Sequence, residues 1–261
     1  MIERGESMYQ RICITAVTDQ GSRKENQDNF QIDTKVPYIR EAYADAAEMI
    51  EADEKIHFAC VCDGIGGETL GRLAALSVLE MIATCLKNQT SEEELVGFVE
   101  KTMDHIAKKL ALIYEKLREQ GGTTIAMFAW KQEQFCAVNI GDSPIYQIGE
   151  DCITELSEAH TLAGYKLSVD IIPEKGDEHI LLNYIGKKEI SGSEMMHTFM
   201  GTLHPGDKFF LCSDGISKCF DCEKIYQAVK EKGADSIAEL AKQAAKAENS
   251  DNCTAMLIVA E

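Results

Sequence analysis

The chain has 261 residues, enough for one large domain or two small ones, and a single domain of this size buries roughly three quarters of its unfolded surface. Its 45% hydrophobic and 27% charged residues are those of a globular protein. The 44 Asp and Glu against 26 Lys and Arg give a net charge of −18, so most of the surface repels nucleic acid and anionic lipid; no nucleic-acid or membrane partner is expected, while a basic protein partner is compatible.

The start, "MIERGESMYQ", lacks the apolar core of a signal peptide. Residues 11–18, rich in β-branched side chains, predict the first strand, and a polar turn leads to a short strand at 29–33. Segment 34–55 reads as an acidic insertion. After Pro37, the residues Tyr43, Ala46, Ala47 and Ile50 recur at helical spacing and predict a surface helix. A strand at 57–62 runs into the Gly-rich turn "DGIGG". Helices are predicted over 69–87 and 92–119. Ser91 and Glu94 form a capping box for the second, and Leu95, Phe98, Ile106, Leu110 and Leu117 mark its inner face. After Gly121-Gly122, strands are predicted at 123–130, 134–141 and 144–148. Segment 157–178 has few regular signals and reads as a loop or flap. Strands resume at 180–184, 197–200 and 207–213, and helices follow at 222–232 and 236–247, the latter with Ser236 and Glu239 as a capping box. A strand at 253–259 ends the chain.

No stretch approaches 18 uninterrupted apolar residues, so no transmembrane helix is expected. With no repeat or low-complexity linker, residues 1–261 read as one domain. Short strand-to-strand turns imply antiparallel pairing. Two helical pairs can each cover an outer sheet face, which predicts an α+β fold: a four-layer α-β-β-α sandwich with two central antiparallel sheets.

Ten cysteines are present, and Cys13, Cys60, Cys62, Cys136, Cys212 and Cys253 fall inside apolar runs. Buried thiols act as small hydrophobes, which suits a reducing cytosol better than a disulfide scaffold. A cytoplasmic location is therefore expected. Cys219 and Cys222 form a C-x-x-C without a second pair or a nearby His, so it reads as a helix start and not as a zinc site.

The chemistry lies in five aspartates beside hydrophobic strands: Asp28 in "RKENQDNF", Asp63 in "FACVCDGIGG", Asp142 in "AVNIGDSP", Asp214 in "FFLCSDGIS" and Asp251 in "NSDNCTAMLI". For any one of them, turn chemistry is reason enough, because Asp caps its own backbone. As a set they need partners, since burying an unpaired charge is very costly. Hard divalent cations, which prefer oxygen ligands, satisfy several carboxylates at once.

In chain order, "TDQGSRKENQDNF", "VCDGIGG", "GGTTIAMFAW", "VNIGDSPIYQI", "FFLCSDGIS" and "SDNCTAMLIV" resemble the successive motifs of the metal-dependent serine/threonine protein phosphatases of type 2C, in their compact bacterial form. Each motif is weak alone, but six in the right order over residues 12–260 are specific. The resemblance implies the sandwich fold and hydrolysis of phosphoserine and phosphothreonine in proteins. It implies two Mn²⁺ or Mg²⁺ ions that hold a bridging hydroxide for in-line attack, with no phosphoenzyme. Asp63 would bridge the two ions, with the Gly64 carbonyl on one of them. Asp214 and Asp251 would complete the other, and Asp28 would act at the second ion, partly through water. Asp142 and Asp214 would match a third, weaker site. Arg23 would grip the phosphate with its planar fork, a role Lys24 could not take.

Three departures stand out: Gln27 where many relatives have Glu, Ile65 where eukaryotic members have His, and Pro144 in place of the Arg of G-D-S-R. His160, in "SEAHTL", is assigned no catalytic role. The expected partners are phosphorylated substrates of a Ser/Thr kinase, met by a monomer. A pseudophosphatase that binds phosphopeptides and a phosphatase of small metabolites are the competing readings.

Overall fold

In the computed structural model, residues 11–36, 42–188 and 190–261 are described. The N-terminal ten residues examined for a signal peptide, and Pro37 with the start of the acidic stretch, lie outside them.

The first half of the chain opens with strands β1 (Arg11–Asp19), β2 (Asn29–Ile32), β3 (Tyr43–Glu51), β4 (His57–Cys62) and β5 (Gly64–Ile65), followed by helices α1 (Glu68–Lys87) and α2 (Leu95–Leu117). Strands β6 (Gly122–Thr123), β7 (Ile125–Lys131), β8 (Gln134–Ile140), β9 (Ile145–Ile148) and β10 (Ile153–Glu155) come next. Short helices α3 (Leu162–Ser168) and α4 (Gly192–Met195) flank a 3-10 turn at Asp177–His179. Then come β11 (His197–Thr202), β12 (Lys208–Cys212), α5 (Asp214–Ser217), α6 (Cys222–Lys232), α7 (Asp235–Ala245) and β13 (Cys253–Ala260).

The large sheets have strand orders β10-β9-β12-β13-β1-β3 and β11-β8-β7-β4-β2, and their pairings are antiparallel. Both sheets are covered on both faces, so their central strands are apolar on both sides, and alternation sorts the side chains between layers. In β7, Ala126, Phe128 and Trp130 face the inter-sheet core, while Ile125, Met127 and Ala129 face α1 and α2. In β13, Met256 and Ile258 point between the sheets, while Ala255 and Leu257 point to α6 and α7. Three apolar cores separate the four layers, as the α-β-β-α expectation requires. Each fully buried Phe or Leu in them contributes about 1.5–3 kcal/mol. α1 is apolar and long enough to cross a bilayer by composition alone, but Ala74, Ala75, Val78, Leu79 and Ile82 are buried in the core against the second sheet.

Several predicted elements need correction. The segment read as a surface helix within 34–55 is the edge strand β3, paired with β1 from Arg11↔Glu51 to Asp19↔Tyr43. Its true period is two: Ala46 and Ile50 pack against the inter-sheet core, while Asp45, Ala47, Met49 and Glu51 face out. Alanine and the i, i+4 pair Ala46–Ile50 fit both periods, and pairing with β1 decides for the strand. The predicted strand at 180–184 is reduced to isolated bridges, Thr161↔Leu181 and Thr123↔Ile185. Neither predicted capping box forms. α2 starts at Leu95 after Glu94, α7 starts at Asp235 after Ala234, and neither cap residue bonds through its side chain. The capping box is instead Ser191–Glu194 on α4. Leu117, assigned to the inner face of α2, is exposed at the helix end. The flap at 157–178 contains α3, capped by Thr161. The cysteines described are free thiols, and Cys222 opens α6 behind its Asp221 cap.

Candidate active site

Each site aspartate sits at a strand end. Asp63 follows β4, Asp142 lies between β8 and β9, Asp214 opens α5 just after β12, Asp28 precedes β2 and Asp251 precedes β13. Hydroxyl side chains next to these aspartates fix the turns. Thr123 Oγ1 donates to the Asp63 carbonyl at 2.8 Å, and Thr124 Oγ1 accepts from the Asp63 N–H at 3.0 Å. Thr124 N–H also donates to the Asp63 carbonyl at 2.8 Å, which is why the predicted strand 123–130 breaks at Thr124. Thr124 Oγ1 and Ser143 Oγ lie 2.7 Å apart, tying the Asp63 turn to the Asp142 turn.

Asp28 is only 2% exposed. Its Oδ2 accepts from Ser213 Oγ at 2.7 Å and Thr254 Oγ1 at 2.8 Å, and its Oδ1 is buried with no protein partner. Ser213 carries Asp214 and Thr254 follows Asp251 by three residues, so this carboxylate gathers three motifs. Asn252 holds the loop above it: its side chain accepts from Gln27 N–H and donates to the carbonyls of Gln20 and Glu25. Gly21, with φ of 61°, lets that loop press against the next turn. A Cβ there would lie 2.1 Å from the Asp251 carbonyl. Gly64 is equally constrained, since its Cβ would lie 2.1 Å from the Gly71 carbonyl in α1.

The five carboxylates act on one another. Burial, followed by the charges of Asp28, Asp214, Asp142 and Asp251, holds Asp63 well above the usual carboxylate range. Burial pushes Asp28 up to about 7 against the pull of its Ser213 and Thr254 hydrogen bonds, with Asp214 and Asp251 adding to the rise. Burial and then Asp214 raise Asp142 to about 6. Asp214 Oδ1 is also buried without a protein partner. Buried acceptors without donors, in a group of like charges, are the electrostatic signature of a cation site.

The fit to a particular cation follows from the donor chemistry: carboxylate oxygens suit hard ions such as Mg²⁺ or Mn²⁺. Among the described residues, no three His, Cys, Asp or Glu side chains close into a ready ligand set. The donors are oxygens, and the nearby thiols Cys212 and Cys253 have pKa values raised first by burial.

Arg23, half exposed, donates from Nη2 to Asp251 Oδ2 at 2.7 Å, which places its guanidinium at the rim of the cluster. Arg23 is thus bonded to one of the five aspartates, and the charges of Asp28, Asp214, Asp142 and Asp251 act on Asp63. Sequence reasoning passed over the supports of these aspartates: Ser213, Thr254, Thr123 and Thr124, each inside a motif already singled out. His160 Nδ1 accepts from Gly141 N–H at 3.2 Å and its own N–H donates to the Gly141 carbonyl at 2.9 Å, so it braces the Asp142 turn. Burial, then His197, lowers its pKa, consistent with a neutral acceptor.

This fold and site define the class, and comparison with known proteins gives the family. The family model described as Protein phosphatase 2C matches residues 41–257. The chain belongs to that family. It is 27% identical over 234 residues to the serine/threonine phosphatase stp of Listeria innocua, covering 84% of this chain and 91% of that one. It is 26% identical over 205 residues to the serine/threonine protein phosphatase PstP of Mycobacterium tuberculosis, covering 76% of this chain and 39% of that longer one. Among solved structures, the serine/threonine phosphatase of S. agalactiae superposes with a TM-score of 0.80 at 19% identity, over 96% of this chain and all (100%) of that one. The PstP catalytic domain in complex with two manganese ions superposes with a TM-score of 0.75 at 20% identity, over 95% and 98%.

Proposed function

We propose that the chain is a protein-serine/threonine phosphatase that uses divalent Mn²⁺ or Mg²⁺ and acts in the cytoplasm as a monomer. The observation that carries the reading is the buried carboxylate cluster, with Asp28 Oδ1 and Asp214 Oδ1 orphaned and Asp63 subject to the charge of four neighbours. Family membership and the relatives' names, serine/threonine phosphatases, support the reaction. The manganese ions of the PstP domain support the choice of metal.

Asp63, Asp214 and Asp251, with the Gly64 carbonyl, would hold one or both ions, and Asp28 would join through its orphaned oxygen. Bound there, the ions supply an acidified water as nucleophile and neutralise phosphate charge. The chain's own residues do the rest. Ser213 and Thr254 both bond Asp28 Oδ2, which leaves its Oδ1 buried and without a protein donor. The Thr123 and Thr124 bonds hold the Asp63 backbone. Arg23 is bonded to Asp251 at the rim and exchanges that partner for phosphate oxygens when substrate arrives, orienting the ester with two parallel hydrogen bonds. Ile65 has no ionisable group, so in this reading water in the site protonates the leaving oxygen. The substrates this chemistry fits are phosphoserine and phosphothreonine products of a Ser/Thr kinase.

The test is hydrolysis of a phosphothreonine peptide with and without Mn²⁺. Turnover that vanishes in chelator and returns with Mn²⁺ or Mg²⁺ is expected. Full activity in excess chelator would refute the metal reading. Metal-bound protein that binds the peptide without turning it over would establish the pseudophosphatase reading instead.

A further inference from the structure

The second sheet ends at β11, and that edge is open. Among the described residues, β8 is the one strand paired with β11, over His197–Thr202, and no hydrogen bond reaches the β11 backbone from its other side. An open edge offers a row of unpaired N–H and C=O groups, and proteins blunt such edges with charge, proline, short length or cover. The other edges here follow that rule. β3 bears Asp45, Glu48 and Glu51, β10 is three residues long, and β2 is buried along its length. β11, His-Thr-Phe-Met-Gly-Thr, has no acid, lysine, arginine or proline. Its large side chains are also unfinished on both faces. Residues directly opposed in an antiparallel pair share a face. Phe199, opposite Ala137, therefore continues the inter-sheet core, and Met200, opposite Cys136, continues the core beneath α1 and α2. Phe199 stacks on Phe135 with centroids 6.2 Å apart yet is 41% exposed, and Met200 is 59% exposed. One further strand would extend both apolar layers and satisfy the edge.

The edge leads to the candidate active site. His197 stands opposite Asn139, three residues before Asp142, and the Asp142 turn is tied to the Asp63 turn through Ser143 and Thr124. At about 3.4 Å per residue, the His197 end lies roughly 10 Å along the strand from Asp142. Glu158, with its side chain 72% exposed, lies 3.5 Å from His197 Nδ1 at that end and complements a basic residue. The net charge of −18 opposes a second copy of the chain as the occupant. We propose that β11 is the substrate-docking strand: it binds an extended segment of the phosphoprotein as one more antiparallel strand. That segment has apolar residues on both faces and is joined to the phosphorylated Ser or Thr through a basic linker. An added antiparallel strand runs from Thr202 toward His197, so the phosphoresidue follows the paired segment, about three or four residues beyond it. This rests on the phosphatase reading above and states how that site selects substrates, by backbone pairing with an extended chain.

The experiment compares phosphothreonine peptides on the full chain with Mn²⁺. The short peptide has Gly-Lys-Gly before the phosphothreonine, and the long peptide adds Thr-Val-Thr-Val-Thr-Val before that linker. The long peptide should have a kcat/KM about tenfold higher, nearly all of it in KM, because a few added hydrogen bonds hold ground state and transition state alike. N-methylation of alternate residues of the extension should abolish the gain in one frame and spare it in the other, since only every second N–H of a paired strand points at its partner. Met200→Asp, which places a charge on the edge, should cut the long-to-short ratio severalfold. If that variant does not fold, the N-methylated peptides on wild type still decide. Equal kcat/KM for the two peptides, or a gain that survives N-methylation in both frames, would overturn the docking strand and leave the phosphatase reading intact. A dimer in sedimentation that Met200→Asp dissociates, with no gain from the long peptide, would assign the edge to a second copy instead. If neither peptide turns over with Mn²⁺, the phosphatase reading fails, and the same frame dependence read as peptide binding by calorimetry still decides on the strand.

Discussion

Asp45, Glu48 and Glu51 carry the same charge as the five site aspartates, but the fold gives them opposite surroundings. The first three lie on the edge strand β3. Asp45 accepts from the Tyr43 hydroxyl, Glu48 is paired with Lys35 at 2.6 Å, and Glu51 stands opposite Arg11 in the strand register. The site aspartates come from separate strand ends, and burial and mutual repulsion raise Asp28, Asp63 and Asp142. Water screens the strand cheaply, whereas the cluster needs cations. Acidic sequence is therefore not the signal of a site. What matters is acid that the fold removes from water and points at other acid.

The sharpest way to break that contrast is to remove one charge from the cluster. Asp63→Asn and Asp214→Asn should each reduce hydrolysis of an aryl phosphate by on the order of a thousandfold, as loss of a group acting in the transition state does. The stability change should have the opposite sign for Asp63. Its folded pKa is raised, so its ionised form is held at a cost that appears as pH rises above the unfolded value of about 4. Metal-free Asp63→Asn should then melt above metal-free wild type at neutral pH, by a few degrees. Added Mn²⁺ should stabilise wild type more than the variant, because only wild type binds it fully. Melting curves with chelator and with Mn²⁺ measure both. A variant that melts lower than wild type in chelator would mean the cluster is not frustrated.

Arg23→Lys tests the rim, where exposure is intermediate. Lysine keeps the charge beside Asp251 but not the planar fork. KM for a phosphothreonine peptide should rise roughly tenfold, with a smaller fall in kcat, since the loss is mainly of binding and alignment. Unchanged kinetics would make the Arg23–Asp251 pair purely structural.

His57 sharpens the comparison outside the site, as a buried residue that does have partners. Its ring nitrogens lie 3.1 Å from Asp33 Oδ1 and 2.9 Å from Asp53 Oδ1, and it stacks on Trp130 with ring centroids 5.3 Å apart. Burial lowers its pKa, but the hydrogen bonds to Asp33 and Asp53 outweigh burial and raise it. A raised histidine gives stability that is full below about 6.5 and lost as pH rises through the folded pKa. His57→Gln should therefore cost about 1 kcal/mol near pH 6 and less near pH 8, read from denaturant midpoints at the two pH values. Trp130 is the one tryptophan in the chain, so its fluorescence reports the same titration. An equal cost at both pH values would mean that the imidazolium form contributes nothing.

The layers and the site were legible in the sequence because both rest on local signals. Strand 57–62 and helix 222–232 were predicted with the ends the fold gives them, since a Gly-rich turn bounds one and an Asp cap with a Gly stop bounds the other. The site aspartates were legible because each stands at one end of an apolar run. Less was legible where the deciding partner is distant in sequence. β3 is a strand because β1 is available to pair with it, and no window of eleven residues contains that fact. Ser91 and Ser236 had the right spacing for caps, but the preceding turns start the helices elsewhere.

The smallest effect expected is also the control on which the comparison stands. Asp45→Asn with Glu51→Gln removes two charges from β3 without changing side-chain shape. Both residues are exposed, and neither is buried against another acid. Surface changes of this kind alter stability by less than about 0.5 kcal/mol. Over separations beyond a Debye length of about 8 Å at physiological salt, their charge is screened from the site. The double variant should therefore match wild type in melting temperature, Mn²⁺ affinity and phosphopeptide turnover at 150 mM salt, as an ionic strength of about 0.15 M sets the screening. At about 0.01 M salt the Debye length grows to roughly 30 Å, and a slight weakening of Mn²⁺ binding should emerge as the overall negative field is reduced. If Mn²⁺ affinity falls severalfold at the higher salt, the strand is part of the metal's electrostatic environment. The division between solvated and buried acid would then fail for this protein.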